Sequence, residues 1–277
     1  RDKEREGLRA AFESVAAGRG LLLCVAGEAG IGKTTLVEDL FLDLAAAGQV
    51  ASIARGRCSE RLAGAEAYLP LLEALESLLH GPGGDSAARV MKQTAPTWYV
   101  QVAPLAGDDT SAARLLTDIR SASPERMKRE LSAFFQEVSR LRPLVVFFDD
   151  LQWADVSTID MLAYLAGKFD SLRALIVVTY RPSDLALAKH PFLQIRPNLL
   201  AHGLCREMPL DFLTLPDIER YLALEFPGQW FPPEFAALVL ARTEGNALFM
   251  ADLARYLRDR KVIVEERGQW TLTHTLA

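Results

Sequence analysis

Short unbroken apolar runs alternate with helical stripes along most of the chain. Leu21-Leu-Leu-Cys-Val-Ala26 is continuously apolar and ends at a glycine; from Lys33 onward Leu36, Val37, Leu40, Phe41 and Leu44 recur at helical spacing until Gly48. That order reads strand, turn, helix. Residues 50–54 form the next expected strand, and 144–148 a third, entered through Pro143 after a helix striped by Met127, Leu131, Phe134, Val138 and Leu141. Residues 174–179 make a fourth and 207–210 a fifth. Strands without polar alternation are covered on both faces, which predicts an α/β fold: a mostly parallel five-stranded sheet flanked by helices.

Between about residues 81 and 123 the periodicity fades into short helical pieces punctuated by Gly-Pro-Gly-Gly, Gly107-Asp-Asp and Ser121-Ala-Ser-Pro. This segment is expected to be a surface insertion. After Leu210 the strands cease. Thr214 caps a helix carrying Ile218, Tyr221, Leu222 and Phe226; Pro233 opens another that stops at Gly245; Asn246 caps a third carrying Phe249, Leu253 and Leu257. Val262 to Leu272 reads as a hairpin turning at Arg267-Gly268. The expected division is a core domain over 1–210, a small all-α domain over 211–260, and a C-terminal β-hairpin over 261–277 that starts a following domain.

Composition narrows the functional classes. The 277 residues, 50% hydrophobic and 24% charged, suit one large and one small folded domain. The longest apolar runs, 21–26 and 144–148, fall well short of the roughly 20 residues of a membrane helix. Net charge is −5, so the chain lacks the overall basic field that holds nucleic-acid backbones, and no direct nucleic-acid binding by this segment is expected. Cys24, Cys58 and Cys205 are odd in number and form no CxxC, and no secretory signal precedes them. Neither a disulfide framework nor a zinc site is expected, and a cytoplasmic setting is. His80, His190, His202 and His274 show no ligand spacing. An opening at Arg1 is what a module of a longer chain presents.

The chemistry concentrates in a few segments. Gly27-Glu28-Ala29-Gly30-Ile31-Gly32-Lys33-Thr34 fits G-x-x-x-x-G-K-[ST] and lies between a buried strand and a helix. In that setting backbone N–H groups and a helix N-terminus cradle phosphate, Lys33 serves the β- and γ-phosphates, and the Thr34 hydroxyl ligates Mg²⁺. Thr35 is expected near the α-phosphate. Asp149 and Asp150 end a buried strand at the edge where open α/β sheets bind ligands. Asp149 suits a Mg²⁺-holding acid, and Asp150 suits the group that orients or deprotonates water. Arg181 ends the next strand and is placed to sense the γ-phosphate. Trp153 is either a hydrophobic anchor or a residue near the nucleotide.

In order and spacing, the segment from Gly27 to Val37, the block from Leu144 to Asp155 ending Asp-Asp-Leu-Gln-Trp-Ala-Asp, Thr179-Tyr-Arg-Pro182 and Glu244-Gly-Asn-Ala-Leu-Phe249 resemble the ATPase module of STAND proteins, the signal-transduction ATPases with numerous domains. The bacterial branch found in large LuxR-type regulators is the most similar. The resemblance implies that Arg1, in the remnant of a Gly-Arg-Glu-x-Glu start, lies close to adenine. It also implies that the Gly245-Asn246 segment lies over the nucleotide, although a helix cap is the simpler reading of those two residues. This chain has Ala247 where the family usually has proline.

The resemblance further implies a helical lid after the core, then winged-helix and repeat sensor domains. ATP or ADP with Mg²⁺ would be the cofactors, and self-association would accompany the ATP state. The expected function is a slow ATPase acting as a molecular switch of a signal-transduction or transcription regulator. The alternatives are a motor-type AAA+ ATPase acting on DNA or protein, and a non-catalytic ATP-dependent scaffold.

Overall fold

The computed structural model describes residues 1–60, 66–103, 123–266 and 268–273. Its described chain groups into two compact units, residues 1–26 with 34–209, and residues 27–33 with 210–277. The first contains α1 (Asp2–Ala16), β1 (Leu21–Ala26), the body of α2 (Lys33–Ala46), β2 (Ser52–Arg57), α3 (Leu69–His80), α4 (Gly84–Thr94), α5 (Pro96–Val102), α6 (Pro124–Leu141), β3 (Leu144–Asp149), α7 (Val156–Ala166), β4 (Ala174–Tyr180), α8 (Pro182–Leu187), α9 (Phe192–Ala201) and β5 (Cys205–Pro209).

The five strands form one sheet in the order β2-β3-β4-β1-β5, and every pairing is parallel. Every residue of β1, β3 and β4 is buried, as the unbroken apolar runs require of central strands covered on both faces. One face shares a core with α3, α6 and α7 that includes Leu75, Phe134 and Leu162, and α4 and α5 join that core through Met91 and Trp98 by packing on α3 and α6. On the other, Phe147 meets Phe41 of α2 edge-on at 6.1 Å.

The edge strands depart from the sequence reading. β2 begins at Ser52, not Val50, which is 59% exposed, and runs on through Arg57. An edge strand needs only one covered face, so Ala54 and Gly56 are buried between exposed Arg55 and Arg57, a pattern that apolar runs do not reveal. β5 likewise starts earlier, at Cys205, with only that residue buried. This register brings the Cys24 and Cys205 sulfurs to 3.3 Å as free thiols.

The segment expected as a surface insertion is correspondingly more structural where it is described; residues 104–122 lie outside the described residues. Met91, Ala95, Trp98 and Val102 belong to the main core, and the Trp98 indole N–H donates to the Met127 carbonyl at 2.9 Å. The faded periodicity reflects helices too short to repeat a stripe. In α6, Phe135 is buried and Leu141, at the exposed last turn, is not.

The second unit carries α10 (Leu215–Glu225), α11 (Glu234–Thr243), α12 (Ala247–Asp259) and a hairpin of β6 (Ile263–Glu266) and β7 (Gln269–Leu272). Thr214 and Asp217 cap α10 reciprocally. Ile218, Leu222, Phe226, Phe235, Val239, Met250 and Ile263 form its core, and Trp270 of the hairpin packs on Phe226 at 5.2 Å. Of the stripe expected on α12, Leu253 and Leu257 pack partly buried against this core beside Met250 and Ala254, whereas Phe249 is exposed. Capping at Asn246 fixes the helix phase and puts Phe249 in the solvent-facing first turn. No helix among the described residues is long and apolar enough to cross a membrane.

Trp98 tests whether the segment after α3 is part of the core. Trp98→Ala is expected to cost the first unit about 3–5 kcal/mol, read from its denaturant midpoint; a change within error of zero would return the segment to the surface.

Candidate functional site

The chain leaves β1 at Ala26 and enters α2 at Lys33, and residues 27–33 between them group with the C-terminal helical unit. Within that unit Lys33 is buried, and its ammonium donates to the Gly27 carbonyl at 2.8 Å and the Glu28 carbonyl at 2.9 Å. A buried cation satisfied by backbone carbonyls can exchange them for a stronger anionic acceptor without moving into water. The Asn246 side chain donates from Nδ2 to the Ala29 carbonyl at 2.9 Å, and the Leu248 N–H donates to the Gly30 carbonyl at 2.9 Å. Gly30 has φ +73°, and a Cβ there would come within 2.6 Å of Asn246 Oδ1, so this position requires glycine on two counts.

In the first unit, parallel pairing brings the C-terminal ends of β3 and β4 side by side, where polar side chains succeed apolar ones. The Thr34 hydroxyl lies 3.0 Å from both Asp149 carboxylate oxygens. Thr179, fully buried near the end of β4, donates its hydroxyl to Asp149 Oδ1 at 2.5 Å and accepts the Asp150 N–H at 2.9 Å. Thr34 and Asp149 thus supply adjoining hard oxygen donors. That set suits Mg²⁺, which binds through one or two protein oxygens and otherwise through water and phosphate. Among the described residues no group of three or more His, Cys, Asp or Glu side chains could hold a metal ion.

Asp150 turns the chain out of β3 in a left-handed conformation, φ 59° and ψ 48°, which Asp tolerates better than most residues. Its carboxylate accepts from Gln152 Nε2 at 3.0 Å, while Gln152 Oε1 accepts the Arg181 N–H at 3.2 Å. Gln152 is buried and joins the acid at the end of β3 to the arginine after β4. The Arg181 guanidinium reaches Asp184 at 3.4 Å through one terminal nitrogen, and among the described residues its buried Nε has no acceptor.

Residues 1–178 match the AAA ATPase domain family. The chain belongs to this family. Among solved structures, the Walker-type ATPase of Pyrococcus abyssi is 18% identical, with TM-score 0.54 over 94% of this chain and 68% of that one. A chain of Drosophila ORC bound to DNA is 14% identical, with TM-score 0.54 over 95% of this chain and 57% of that one. A STAND protein with a tetratricopeptide repeat sensor from Pyrococcus horikoshii is 16% identical, with TM-score 0.39 over 87% of this chain and 28% of that one. A comparison with curated proteins finds no match. The first two structures share the fold of this AAA ATPase domain.

The remaining expected site residues of the AAA ATPase domain take varied positions. Thr35 is exposed on the first turn of α2. Arg1 precedes α1 and lies 3.8 Å from Glu4. Gly245, at φ +74°, has its carbonyl bonded to the Leu213 N–H, and a Cβ there would sit 2.3 Å from the Leu213 carbonyl. Asn246 caps α12, accepting from the Leu248 and Phe249 N–H groups. Ala247 is the first residue of that helix, where proline fits equally well. Trp153 packs partly buried against the core, and Asp155 caps α7.

Two residues that organise the acid pair went unassigned from sequence: Thr179 and Gln152. The available signals were a threonine within the buried run of β4 and an uncharged polar residue directly after the acid pair.

His190 supports the same loop. One ring nitrogen, Nε2, bonds the Ala154 carbonyl at 3.0 Å, and Nδ1 accepts the Phe192 N–H at 3.3 Å, an arrangement that needs neutral imidazole. Burial lowers its pKa below the ordinary 6.5. The unfolded chain therefore takes up this proton first, so the contribution is complete above pH 6.5 and is lost as pH falls below it toward the folded pKa. His190→Gln, which keeps a donor for Ala154, is expected to flatten the fall in melting temperature between neutral and mildly acidic pH; parallel wild-type and variant profiles would refute this. Thr179→Val should destabilise the first unit by about 1–3 kcal/mol, since it takes a donor from the buried Asp149 carboxylate and the acceptor from the part-buried Asp150 N–H. Thr179→Ser should recover most of that loss in the same denaturation assay.

Proposed function

We propose that this AAA ATPase domain is a nucleotide switch of the STAND type. It binds ATP or ADP with Mg²⁺, hydrolyses ATP slowly, and lets nucleotide state set the conformation and self-association of a longer, cytoplasmic signalling or transcription regulator. The observation that carries the reading is the grouping of residues 27–33 with the C-terminal helical unit, because a phosphate loop bonded to lid helices ties occupancy to their placement. The ordered motifs from Gly27 to Phe249 support the STAND branch, and with it winged-helix and repeat sensor domains as partners in the longer chain.

In this reading the backbone of Gly27, Glu28, Ala29, Gly30, Ile31 and Gly32 cradles phosphate, and Lys33 leaves its two carbonyls for the β- and γ-phosphates. Thr34 and Asp149 hold Mg²⁺, which neutralises charge on the phosphate oxygens when bound. Thr179 holds the Asp149 carboxylate in place. Asp150 orients the attacking water and takes its proton, with its own carboxylate held by Gln152. Arg181, directly after β4, offers its guanidinium to the γ-phosphate. Thr35 serves the α-phosphate. Arg1, Gly245 and Asn246 belong to the nucleotide-facing surface by resemblance alone.

The test is binding of a fluorescent ATP analogue, turnover, and solution mass under ADP and a non-hydrolysable ATP analogue. Lys33→Ala should abolish tight triphosphate binding, whereas Asp150→Asn should bind normally and turn over about 10²–10⁴-fold more slowly. Wild-type binding and switching in Lys33→Ala would sink the proposal, and rapid DNA-stimulated turnover would favour a motor.

A further inference from the structure

We infer that Asn246 is a positioning residue for the phosphate loop: one amide side chain caps α12 with its oxygen and aims the loop's backbone with its nitrogen, making α12 the element that registers what the loop binds. The last step rests on the nucleotide-switch reading; the positioning itself does not.

The division of labour is visible atom by atom. Asn246 Oδ1 accepts the Leu248 N–H at 3.1 Å and the Phe249 N–H at 3.3 Å, which is an ordinary helix cap. Asp, Ser or Thr would serve that purpose as well. Asp has no proton to give, and a Ser or Thr hydroxyl has one oxygen for both tasks; the amide divides them between two atoms, and Nδ2 donates to the Ala29 carbonyl while Oδ1 caps the helix. The cap alone therefore does not explain asparagine, whereas the loop does. From the loop's side, Gly30 lacks the Cβ that would collide with this same side chain.

The consequence follows from peptide planarity. A trans peptide holds its C=O and the next N–H in one plane, pointing opposite ways, and no peptide among the described residues is cis. Fixing the Ala29 carbonyl through Asn246 therefore fixes the direction of the Gly30 N–H. Fixing the Gly30 carbonyl through the Leu248 N–H likewise fixes the Ile31 N–H. These are consecutive N–H groups of the kind a phosphate loop directs at its anion. A ligand that reorients them must turn the carbonyls held by Asn246 and Leu248, and so must strain or shift the first turn of α12. The Gly245 carbonyl, bonded to the Leu213 N–H, anchors the other side of Asn246 to the segment that follows β5. The couple acts on α12 because its capping residue is held both before and after the helix start.

Hydrogen exchange of the whole chain, without nucleotide and with ADP, separates the two roles. Asn246→Asp keeps the capping oxygen and loses the donor. Without nucleotide it should speed exchange of the amides of residues 29–32 about five- to tenfold, while those of 250–259 stay near wild type. Asn246→Ala should speed both sets. In the wild type ADP should slow exchange in the first turn of α12, and in Asn246→Asp that slowing should be lost.

Wild-type exchange of the loop in Asn246→Asp would overturn the inference. So would equal acceleration of loop and helix, which would make the residue a cap alone. If wild type binds no ADP, the nucleotide-switch reading fails, while the nucleotide-free comparison still decides the positioning role.

Discussion

A parallel sheet covered on both faces leaves its strands no place for polar side chains except near their ends. β1, β3 and β4 obey that constraint, and the chemistry of the first unit follows from it. Asp149 is the first carboxylate after an apolar run, and Thr179 the first hydroxyl after another; parallel pairing puts them side by side. A buried carboxylate needs donors, and Thr179 and Thr34 supply them. The site oxygens are therefore the means by which a central strand ends without an unpaired charge, and the same oxygens suit a hard cation.

The loop after β1 obeys a different constraint. Its carbonyls need donors too, and these come from its own lysine and from the start of α12. A stretch seven residues long is in this way integrated with a helical unit that begins some 180 residues later in the chain. This placement gives the helical unit a physical stake in the loop, which a sheet-bound loop would not.

The legible parts of the sequence were those in which one physical demand dominates. Central strands buried on both faces spell themselves out, as does the glycine-rich loop, whose Gly30 has both a positive φ and a crowded Cβ position. Edge strands were misplaced because Ala54 and Gly56, the residues that face inward on β2, are too small to register as an apolar run. The core role of Trp98 was missed because α5 is a single short helix whose burial depends on partners elsewhere in the chain, Met127 among them. Thr179 and Gln152 are important through what they bond. A threonine near a strand end is legible as polar, but only the register between β3 and β4 reveals that it meets the acid next door.

The turn at Asp150 shows how these demands combine. A non-glycine residue in the left-handed region costs on the order of 1–3 kcal/mol and persists only where its surroundings hold it. Here the Asp150 N–H is taken by Thr179 and its carboxylate by Gln152, so each polar end has a partner in the bent conformation. The bend starts the short helical turn over Leu151–Trp153, and its Leu151 and Gln152 are buried. In this bend the short Asp150 carboxylate lies 3.0 Å from the Gln152 amide nitrogen. Aspartate at this position is thus matched to the glutamine two residues on. Because the other end of that amide is bonded to the Arg181 backbone, the orientation of the acid and the seat of the arginine are set by a single side chain.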